Sequence, residues 1–341
     1  MLQKLKIPAL GIGAVLALFL LVYEPLSYTP PATDGLPASF EQFYAARLAE
    51  SEAHQARPNN EERLVRFSPG PTPFAILAIH GFGASRGEME YTVDRIAAHF
   101  QANTYYMRLP GHGTNMDDHA SVTFEDYLDS AELALAMMPK LGERIVVVGS
   151  STGALLGTHL ASRYPDRVAA LIVASPLYEF RTPAAVLFYI PGAMPLAELA
   201  LGEIRDASWR EDPEDRLRPG YNDYWLTQQK LRATLPLSNL RRYIVNDTTF
   251  GRISSPVLMF YYYRDEDHQD QTVNVQAMLE RFSQLGRLTT SNALNRAVAI
   301  EDGHHILLSQ YVRTDKERIL SESIQFLEEV KQESADAAAI P

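Results

Sequence analysis

The chain has 341 residues, no cysteine and a formal net charge of −11. This length allows one large domain or two modest ones, and an apolar content of 46% supports a sizeable core rather than a disordered chain. The absence of cysteine excludes disulfides, thiolate catalysis and cysteine-ligated metal clusters. The acidic balance argues against nucleic acid as a partner, because a nucleic-acid-binding protein needs a basic face.

The N-terminus carries a strongly apolar segment. Lys4 and Lys6 precede an uncharged stretch from Ile7 to Tyr23, which would span about 26 Å as a helix. The stretch is longer than the apolar region of a typical signal peptide, and no small-residue cleavage site follows it. The sequence therefore favours a retained membrane anchor over residues 1–23, with a cleaved signal peptide or a buried core helix as alternatives. The positive-inside rule places the lysines in the cytoplasm and the rest of the chain on the opposite side, periplasmic or extracellular.

The segments at either end of the main domain are predicted to be simple. Residues 24–60 combine a Pro-rich linker with a short helix over residues 39–57, which opens at Ser39 as N-cap. That helix is expected to pack on the domain or to lie on the membrane surface. Residues 331–341 are expected to form a flexible tail.

From residue 74 onward, apolar runs alternate with amphipathic segments. Helices are predicted over residues 88–100, 124–138 and 152–163. Strands are predicted over residues 74–79, 104–109, 144–149, 168–174, 256–263 and 297–301. Such alternation indicates a mostly parallel sheet with helices on both faces, formed by residues 61–176 and 255–330. The alternation stops over residues 177–254, which we interpret as an inserted, mostly helical cap.

The most specific motif is Gly149-Ser150-Ser151-Thr152-Gly153. It has the form G-x-S-x-G, it follows a predicted buried strand and it opens a predicted helix, which is the context that a nucleophile elbow requires. Ser151 is therefore the predicted nucleophile, and a purely structural turn is the alternative.

A serine hydroxyl needs a base, and the base needs an orienting carboxylate. His304 follows the last predicted strand and is the predicted base, with His305 as the main alternative. Asp265 comes first after the preceding strand and is the predicted acid, with Asp267 and Asp270 as alternatives. The acidic loop lacks the spacing of a calcium-binding loop, so neither a metal nor another cofactor is predicted.

Two backbone amides should bind the oxyanion that forms during acyl transfer. Thr152 follows the nucleophile, and Phe82 lies in the glycine-rich loop after the first predicted strand. This loop and the elbow are also expected to line the substrate pocket, through His80, Gly81, Gly83 and Ser150. His80 is expected to hold the loop by hydrogen bonding rather than to take part in chemistry.

These motifs together resemble the α/β-hydrolase superfamily, and specifically its serine hydrolases of the carboxylesterase and monoacylglycerol-lipase type. The resemblance rests on HGFGAS (80–85), RLPGHGT (108–114), GSSTG (149–153), the Asp265 loop and DGHH (302–305), and it extends over residues 74–329. It implies the α/β-hydrolase fold with an inserted cap, and it assigns Ser151, His304 and Asp265 as the triad, with Phe82 and Thr152 as oxyanion donors.

The sequence therefore predicts a membrane-anchored serine hydrolase that cleaves carboxylic esters without a cofactor. The apolar cap and the anchor suggest lipid-like esters, such as monoacylglycerols or lysophospholipids. Thioesterase, amidase and acyltransferase activities on the same fold are alternatives, as is a non-catalytic, membrane-tethered binding protein.

Overall fold

The computed structural model describes residues 26–182, 185, 190, 192–206 and 216–339. The predicted membrane span, residues 7–23, lies outside the described residues. Within them, none of the helices combines the length and the apolar character needed to cross a bilayer.

A seven-stranded sheet forms the centre of the protein. Its strands are β1 (Arg63–Val65), β2 (Thr72–Ile79), β3 (Asn103–Met107), β4 (Gly142–Ser150), β5 (Val168–Ala174), β8 (Val257–Tyr262) and β9 (Arg296–Ile300). They lie in the order β1-β3-β2-β4-β5-β8-β9; only β1 is antiparallel to its neighbour, and the other adjacent strands pair in parallel. The carboxyl ends of the parallel strands meet at one edge of the sheet, where the loops of a site can converge.

Helices cover both faces of this sheet, and each face buries a separate apolar core. The helices outside the insertion are α1 (Phe40–Ala53), α2 (Glu90–Phe100), α3 (Met116–Ser121), α4 (Phe124–Met137), α5 (Thr152–Arg163), α10 (Val275–Phe282) and α11 (Lys316–Ala339). The expected mostly parallel α/β architecture is confirmed. Each of the six predicted strands lies within two residues of an observed one, because continuous apolar runs are typical of strands buried on both faces.

The insertion contains helices and one additional pair of strands. Its described elements are α6 (Met194–Leu201), β6 (Ile204–Asp206), α7 (Tyr221–Tyr224), β7 (Gln228–Lys230), α8 (Thr234–Ile244) and α9 (Asp247–Arg252). Strands β6 and β7 pair antiparallel, and each has only three residues, which is too short for a periodic pattern to reveal. The amide of Leu226 donates to the carbonyl of Gly83 at 2.8 Å, so the insertion rests on the loop after β2.

The segments at the two ends of the described domain both contain helices, α1 and α11. Helix α1 opens with Ser39 accepting from the Gln42 amide, and its Phe40 and Phe43 are buried against Tyr105. This helix packs on the domain. The expectation of a flexible tail over residues 331–341 was wrong for most of that segment, since α11 continues to Ala339. The segment has no glycine and no proline before Pro341, so nothing in it stops a helix begun upstream.

Candidate active site

Ser151 occupies a sharp turn between β4 and α5. Its backbone angles are φ 50° and ψ −106°, a conformation that costs free energy for a residue with a side chain and that clusters at functional sites. A Cβ atom built on Gly149 would lie 2.4 Å from the Gly153 carbonyl oxygen, and one on Gly153 would lie 1.9 Å from that of Ile79. Both motif glycines are therefore required by close backbone packing, and the turn carries Ser151 to the carboxyl edge of the sheet.

Three side chains form a hydrogen-bonded chain at this edge. The hydroxyl Oγ of Ser151 lies 3.1 Å from Nε2 of His305, and Nδ1 of His305 lies 2.9 Å from Oδ2 of Asp270. The other carboxylate oxygen of Asp270 accepts from the amides of Thr272 and Val273 at 2.8 and 3.1 Å. This is the geometry of a nucleophile, a base and an orienting acid.

The acid that contacts the base is Asp270, and the prediction of Asp265 was wrong. Asp265 is exposed, and its carboxylate binds the ring and the amide of His268 within its own loop. The loop folds back on itself through a bridge between Tyr263 and Gln269, and the Asp270 amide then donates to the Tyr262 carbonyl at 3.1 Å. Asp270 therefore returns to the end of β8 although it lies eight residues past that strand. Asp267 also stays in the exposed part of the loop.

The base is His305, and the prediction of His304 was wrong as well. Nδ1 of His304 accepts from the amide of Ile306 at 3.1 Å, so this ring turns back on its own backbone. The adjacent side chain points the other way and reaches Ser151 and Asp270. The order serine, acid, histidine along the chain is as expected, and each error is a choice between candidates within one loop.

Contact between His305 and Asp270 raises the pKa of the histidine and lowers the pKa of the aspartate. Burial acts to lower the pKa of His305, but the charge and hydrogen bond of Asp270, together with the charge of Glu88, outweigh it and the net shift is upward. Burial acts to raise the pKa of Asp270, but the charge of His305 and the hydrogen bonds it receives lower it. The arrangement therefore stabilises an imidazolium beside a carboxylate, which is the charge state that forms when Ser151 loses its proton.

The loop after β2 lies next to the nucleophile. His80 is fully buried, with Nδ1 2.9 Å from the Gly81 carbonyl and Nε2 accepting from the Leu109 amide at 3.1 Å. Burial lowers the pKa of His80 to about 4, so its ring is neutral and ties this loop to the end of β3. Thr152 is the first residue of α5, and the amides of a first helical turn have no intrahelical acceptor.

A cavity of about 430 Å³ opens above Ser151. Its described lining includes Phe82, Leu177, Phe180, Trp225, Leu226, Leu237 and Ile306, together with Ser151, Glu88, Arg205, His304 and His305. His80, Gly81, Gly83 and Ser150 were predicted to line the substrate pocket, and they are not among the described residues that line this cavity. All four are buried, and His80 and Ser150 fix the loop and the elbow through hydrogen bonds with the Leu109 amide and the Glu88 carboxylate.

The structure adds one charged residue that the sequence analysis missed. Glu88 is 2% exposed, and its carboxylate contacts the Ser150 hydroxyl at 2.9 Å and the Gly81 amide. No local sequence pattern marks this residue: Gly81 precedes it by seven residues and Ser150 follows it by 62. Over the described residues, no group of three or more potential ligands is arranged to hold a metal ion.

The sequence is similar to those of known hydrolases. A sequence profile of the alpha/beta hydrolase family matches residues 76–314, more than half of the chain. A pimeloyl-[acyl-carrier protein] methyl ester esterase of Vibrio campbellii is 32% identical over 119 residues, covering 34% of this chain and 42% of the relative. A thermostable monoacylglycerol lipase of Bacillus sp. (strain H-257) is 24% identical over 258 residues, covering 74% of this chain and 90% of the relative.

Solved structures are similar in fold at low sequence identity. A structure from work on LipS and LipT, two metagenome-derived lipolytic enzymes, has a TM-score of 0.64 at 19% identity, and the match covers 81% of this chain and 100% of that chain. The monoacylglycerol lipase of Paleococcus ferrophilus has a TM-score of 0.55 at 14% identity, with 79% and 98% covered. The matches to the methyl ester esterases span less than half of those relatives, so what those proteins act on does not transfer directly.

Proposed function

The chain belongs to the alpha/beta hydrolase family, and from this premise we propose that it is a serine hydrolase that cleaves carboxylic esters. The observation that carries the proposal is the hydrogen-bonded chain from Ser151 through His305 to Asp270. Fold alone does not fix function, but this chain of contacts supplies an activated nucleophile at the floor of a cavity.

In the proposed mechanism, Oγ of Ser151 attacks the ester carbonyl while Nε2 of His305 accepts its proton. The amides of Phe82 and Thr152 bind the resulting oxyanion, and each donor of this kind contributes about 2.7–4 kcal/mol to transition-state stabilisation. The imidazolium then gives its proton to the departing alcohol, which leaves an acyl-Ser151 ester. Water attacks that ester, His305 accepts the proton of the water, and the carboxylic acid leaves as Ser151 recovers its proton.

Labelling with a fluorophosphonate tests this proposal directly. The reagent forms a phosphonyl ester with an activated serine, and intact-mass spectrometry counts the adducts. We expect one adduct on the wild type and none on Ser151→Ala. Ser121→Ala is the control, because it removes an exposed serine outside the G-x-S-x-G motif, and it should also carry one adduct. A folded wild type without an adduct would contradict the proposal and would favour a non-catalytic binding protein.

We propose further that the substrates are lipid-like esters such as monoacylglycerols or lysophospholipids. Support comes from the aromatic and aliphatic side chains in the cavity wall, among them Phe180, Trp225 and Leu237, and from the monoacylglycerol lipase among the relatives. A series of nitrophenyl esters from acetate to octanoate tests this, and we expect kcat/KM to rise with chain length. A strong preference for acetate would contradict the lipid assignment while leaving the ester hydrolase intact.

We also propose that residues 7–23 anchor the protein in a membrane, with the N-terminus cytoplasmic and the hydrolase on the periplasmic or extracellular side. The support is the uncharged run itself and the two lysines before it. The protein should stay with the membrane fraction after an alkaline carbonate wash, and external protease should degrade the hydrolase in intact spheroplasts. Release into the supernatant by the wash would contradict the anchor.

A further inference from the structure

Glu88 is a buried carboxyl beside the nucleophile for which the mechanism above has no role. It ends the short 3₁₀ turn Arg86–Glu88, six residues after the oxyanion donor Phe82, and it borders the catalytic cavity. A Cβ atom built on Gly81 would lie 3.0 Å from both carboxylate oxygens of Glu88 and 3.2 Å from Cβ of Ser151. The carboxylate and the nucleophile therefore flank the same glycine.

The two hydrogen bonds of Glu88 join the two loops that supply the oxyanion donors. One carboxylate oxygen accepts from the Gly81 amide, directly before Phe82, and the other accepts from the Ser150 hydroxyl at 2.9 Å, directly before Ser151. Phe82 follows β2 and Thr152 follows β4, so their amides converge only if these two loops keep their spacing. Glu88 provides a direct link between them.

The charge of Glu88 has few partners. In the described part of the protein, the titratable groups that interact with its carboxylate are His305, from the loop after β9, and Tyr221, from α7. Its other two neighbours, Gly81 and Ser150, are neutral donors. His305 in turn faces Asp270 and Glu88. Among these described groups, only His305 can carry a positive charge near Glu88, and it does so as the imidazolium that forms during catalysis.

The turn that carries Glu88 is fixed relative to His305. The hydroxyl of Ser309 donates to the Gly87 carbonyl at 3.1 Å, and that of Thr92 donates to the Leu308 carbonyl at 2.8 Å. These bonds tie the turn and the start of α2 to the segment that follows His305. The distance between the carboxylate and the imidazole is therefore held by the fold rather than by one flexible side chain.

We propose that Glu88 is a positioning residue of the hydrolase: it holds the two oxyanion-donating loops in register, and its negative charge stabilises the protonated form of His305. The proposal rests on the proposed ester hydrolase function and assigns this reaction a second carboxylate in addition to Asp270.

Both oxygens of the Glu88 carboxylate accept a hydrogen bond, which favours its charged form against the effect of burial. Burial raises the pKa of Glu88 above its usual range, against its two hydrogen bonds and the charge of His305. For His305, burial acts to lower the pKa, while Asp270 and, more weakly, Glu88 raise it. Removing the charge of Glu88 should therefore lower the pKa of His305, and with it the pH at which the base loses its proton.

Three substitutions in the full-length protein separate the two parts of the proposal. Glu88→Gln keeps an acceptor for Gly81 and offers an amide N–H to the Ser150 hydroxyl, so it removes mainly the charge. Glu88→Ala removes both the charge and the link. Ser150→Ala removes one hydrogen bond and keeps the charge. The readouts are the rate of fluorophosphonate labelling as a function of pH, which requires no knowledge of the natural substrate, and kcat and KM on a nitrophenyl ester.

We expect the acidic limb of the labelling profile to move down by about half a pH unit or more in Glu88→Gln and Glu88→Ala, and to stay in place in Ser150→Ala. We expect kcat to fall by about tenfold or more in Glu88→Ala, with KM changed less, because oxyanion binding acts on the transition state. A merely structural role would not move the pH profile of a variant that keeps the wild-type melting temperature.

An acidic limb of Glu88→Gln that coincides with that of the wild type overturns the electrostatic role. A folded Glu88→Ala with wild-type kcat overturns the link between the loops. If Glu88→Ala does not fold, a wild-type kcat in Ser150→Ala overturns the link instead. A wild type that neither labels nor hydrolyses esters overturns the proposed function itself, and the inference falls with it. A wild type that is active beside unchanged Glu88 variants overturns the inference alone.

Discussion

His305 lies between Asp270, which holds its Nδ1 at 2.9 Å, and Ser151, which its Nε2 reaches at 3.1 Å. The carboxylate stabilises the charged imidazole, so the pKa of His305 is raised above its ordinary value despite burial. The base works only when it is neutral. Activity is therefore lost as the pH falls through this raised pKa, and it is recovered above it.

This gives a prediction for the pH dependence of kcat/KM. We expect the acidic limb to lie above the pKa of about 6.5 of a free imidazole. Asp270→Asn should move that limb to lower pH and reduce kcat by roughly 10³–10⁴-fold, because the ring loses its charge partner and its fixed orientation. Asp265→Asn is the matched control, since this exposed carboxylate binds His268, and its profile should overlay that of the wild type. Equal losses in the two variants would contradict the assignment of the acid.

Close packing at the elbow gives a prediction for stability. A Cβ on Gly153 would lie 1.9 Å from the carbonyl oxygen of Ile79, so two backbone segments would have to separate. Gly153→Ala should lower the free energy of unfolding by about 3 kcal/mol or more, measured by urea titration. Gly70→Ala is the control, because a Cβ placed there would have no atom within 4 Å, and it should stay within about 0.5 kcal/mol of the wild type.

Among the secondary-structure elements, β7 and the turn before it determine how the insertion sits on the site. The Leu226 amide binds the Gly83 carbonyl, and the side chain of Gln229 occupies the space beside Gly83, where a Cβ would meet its Nε2 at 2.2 Å. Gln229 is 4% exposed and accepts hydrogen bonds from Arg205 of β6. The strand pair of the insertion is therefore packed against the loop that carries Phe82.

A methyl group at Gly83 should disturb this contact. Gly83→Ala is expected to lower kcat/KM by roughly tenfold, since a shift of about 1 Å in a catalytic loop can cost more than that. Gly202→Ala carries a similar backbone penalty, with φ of +89° against +70°, but the nearest atom to its Cβ lies 3.9 Å away. Steady-state kinetics on a nitrophenyl ester should show a loss in the first variant and little change in the second, and parallel losses would refute the packing argument.

Over the whole molecule, the sheet, the nucleophile and the order of the site residues are predictable from the sequence. Apolar runs of strand length and the G-x-S-x-G elbow are local patterns that can be read directly from the sequence. The choice of Asp270 over Asp265 depends on a loop that folds back through the Tyr263–Gln269 bridge. The choice of His305 over His304 depends on the backbone of one turn, and Glu88 depends on contacts that span the domain. Sequence spacing does not encode such geometry.

The surface of the molecule is unevenly apolar. Leu196 and Leu199 of α6 are 70% and 85% exposed, next to the exposed Leu201 and Ile204 of the same insertion. If the substrate is presented by a lipid surface, this patch should contribute to activity there. We expect the double substitution Leu196→Gln and Leu199→Gln to reduce hydrolysis of long-chain esters in vesicles several-fold and to leave hydrolysis of a soluble short ester unchanged.

Leu288→Gln provides the control for that experiment. Leu288 is 62% exposed but lies outside the insertion, so its substitution should affect neither assay. Equal activity of the double variant and the wild type on vesicles would contradict a role for the α6 patch, whereas a loss on the soluble ester would point to damage inside the insertion.

The most direct test of the account is the rate of fluorophosphonate labelling of Ser151 in His305→Asn and His304→Asn, compared with the wild type at pH 8. We expect the His305 variant to label at least about 10³-fold more slowly, because Ser151 loses the base that activates it. The His304 variant should stay within about tenfold of the wild type, since its ring borders the cavity but does not contact Oγ. The reverse ranking, or labelling of Ser151 that is independent of both histidines, would contradict the proposed triad.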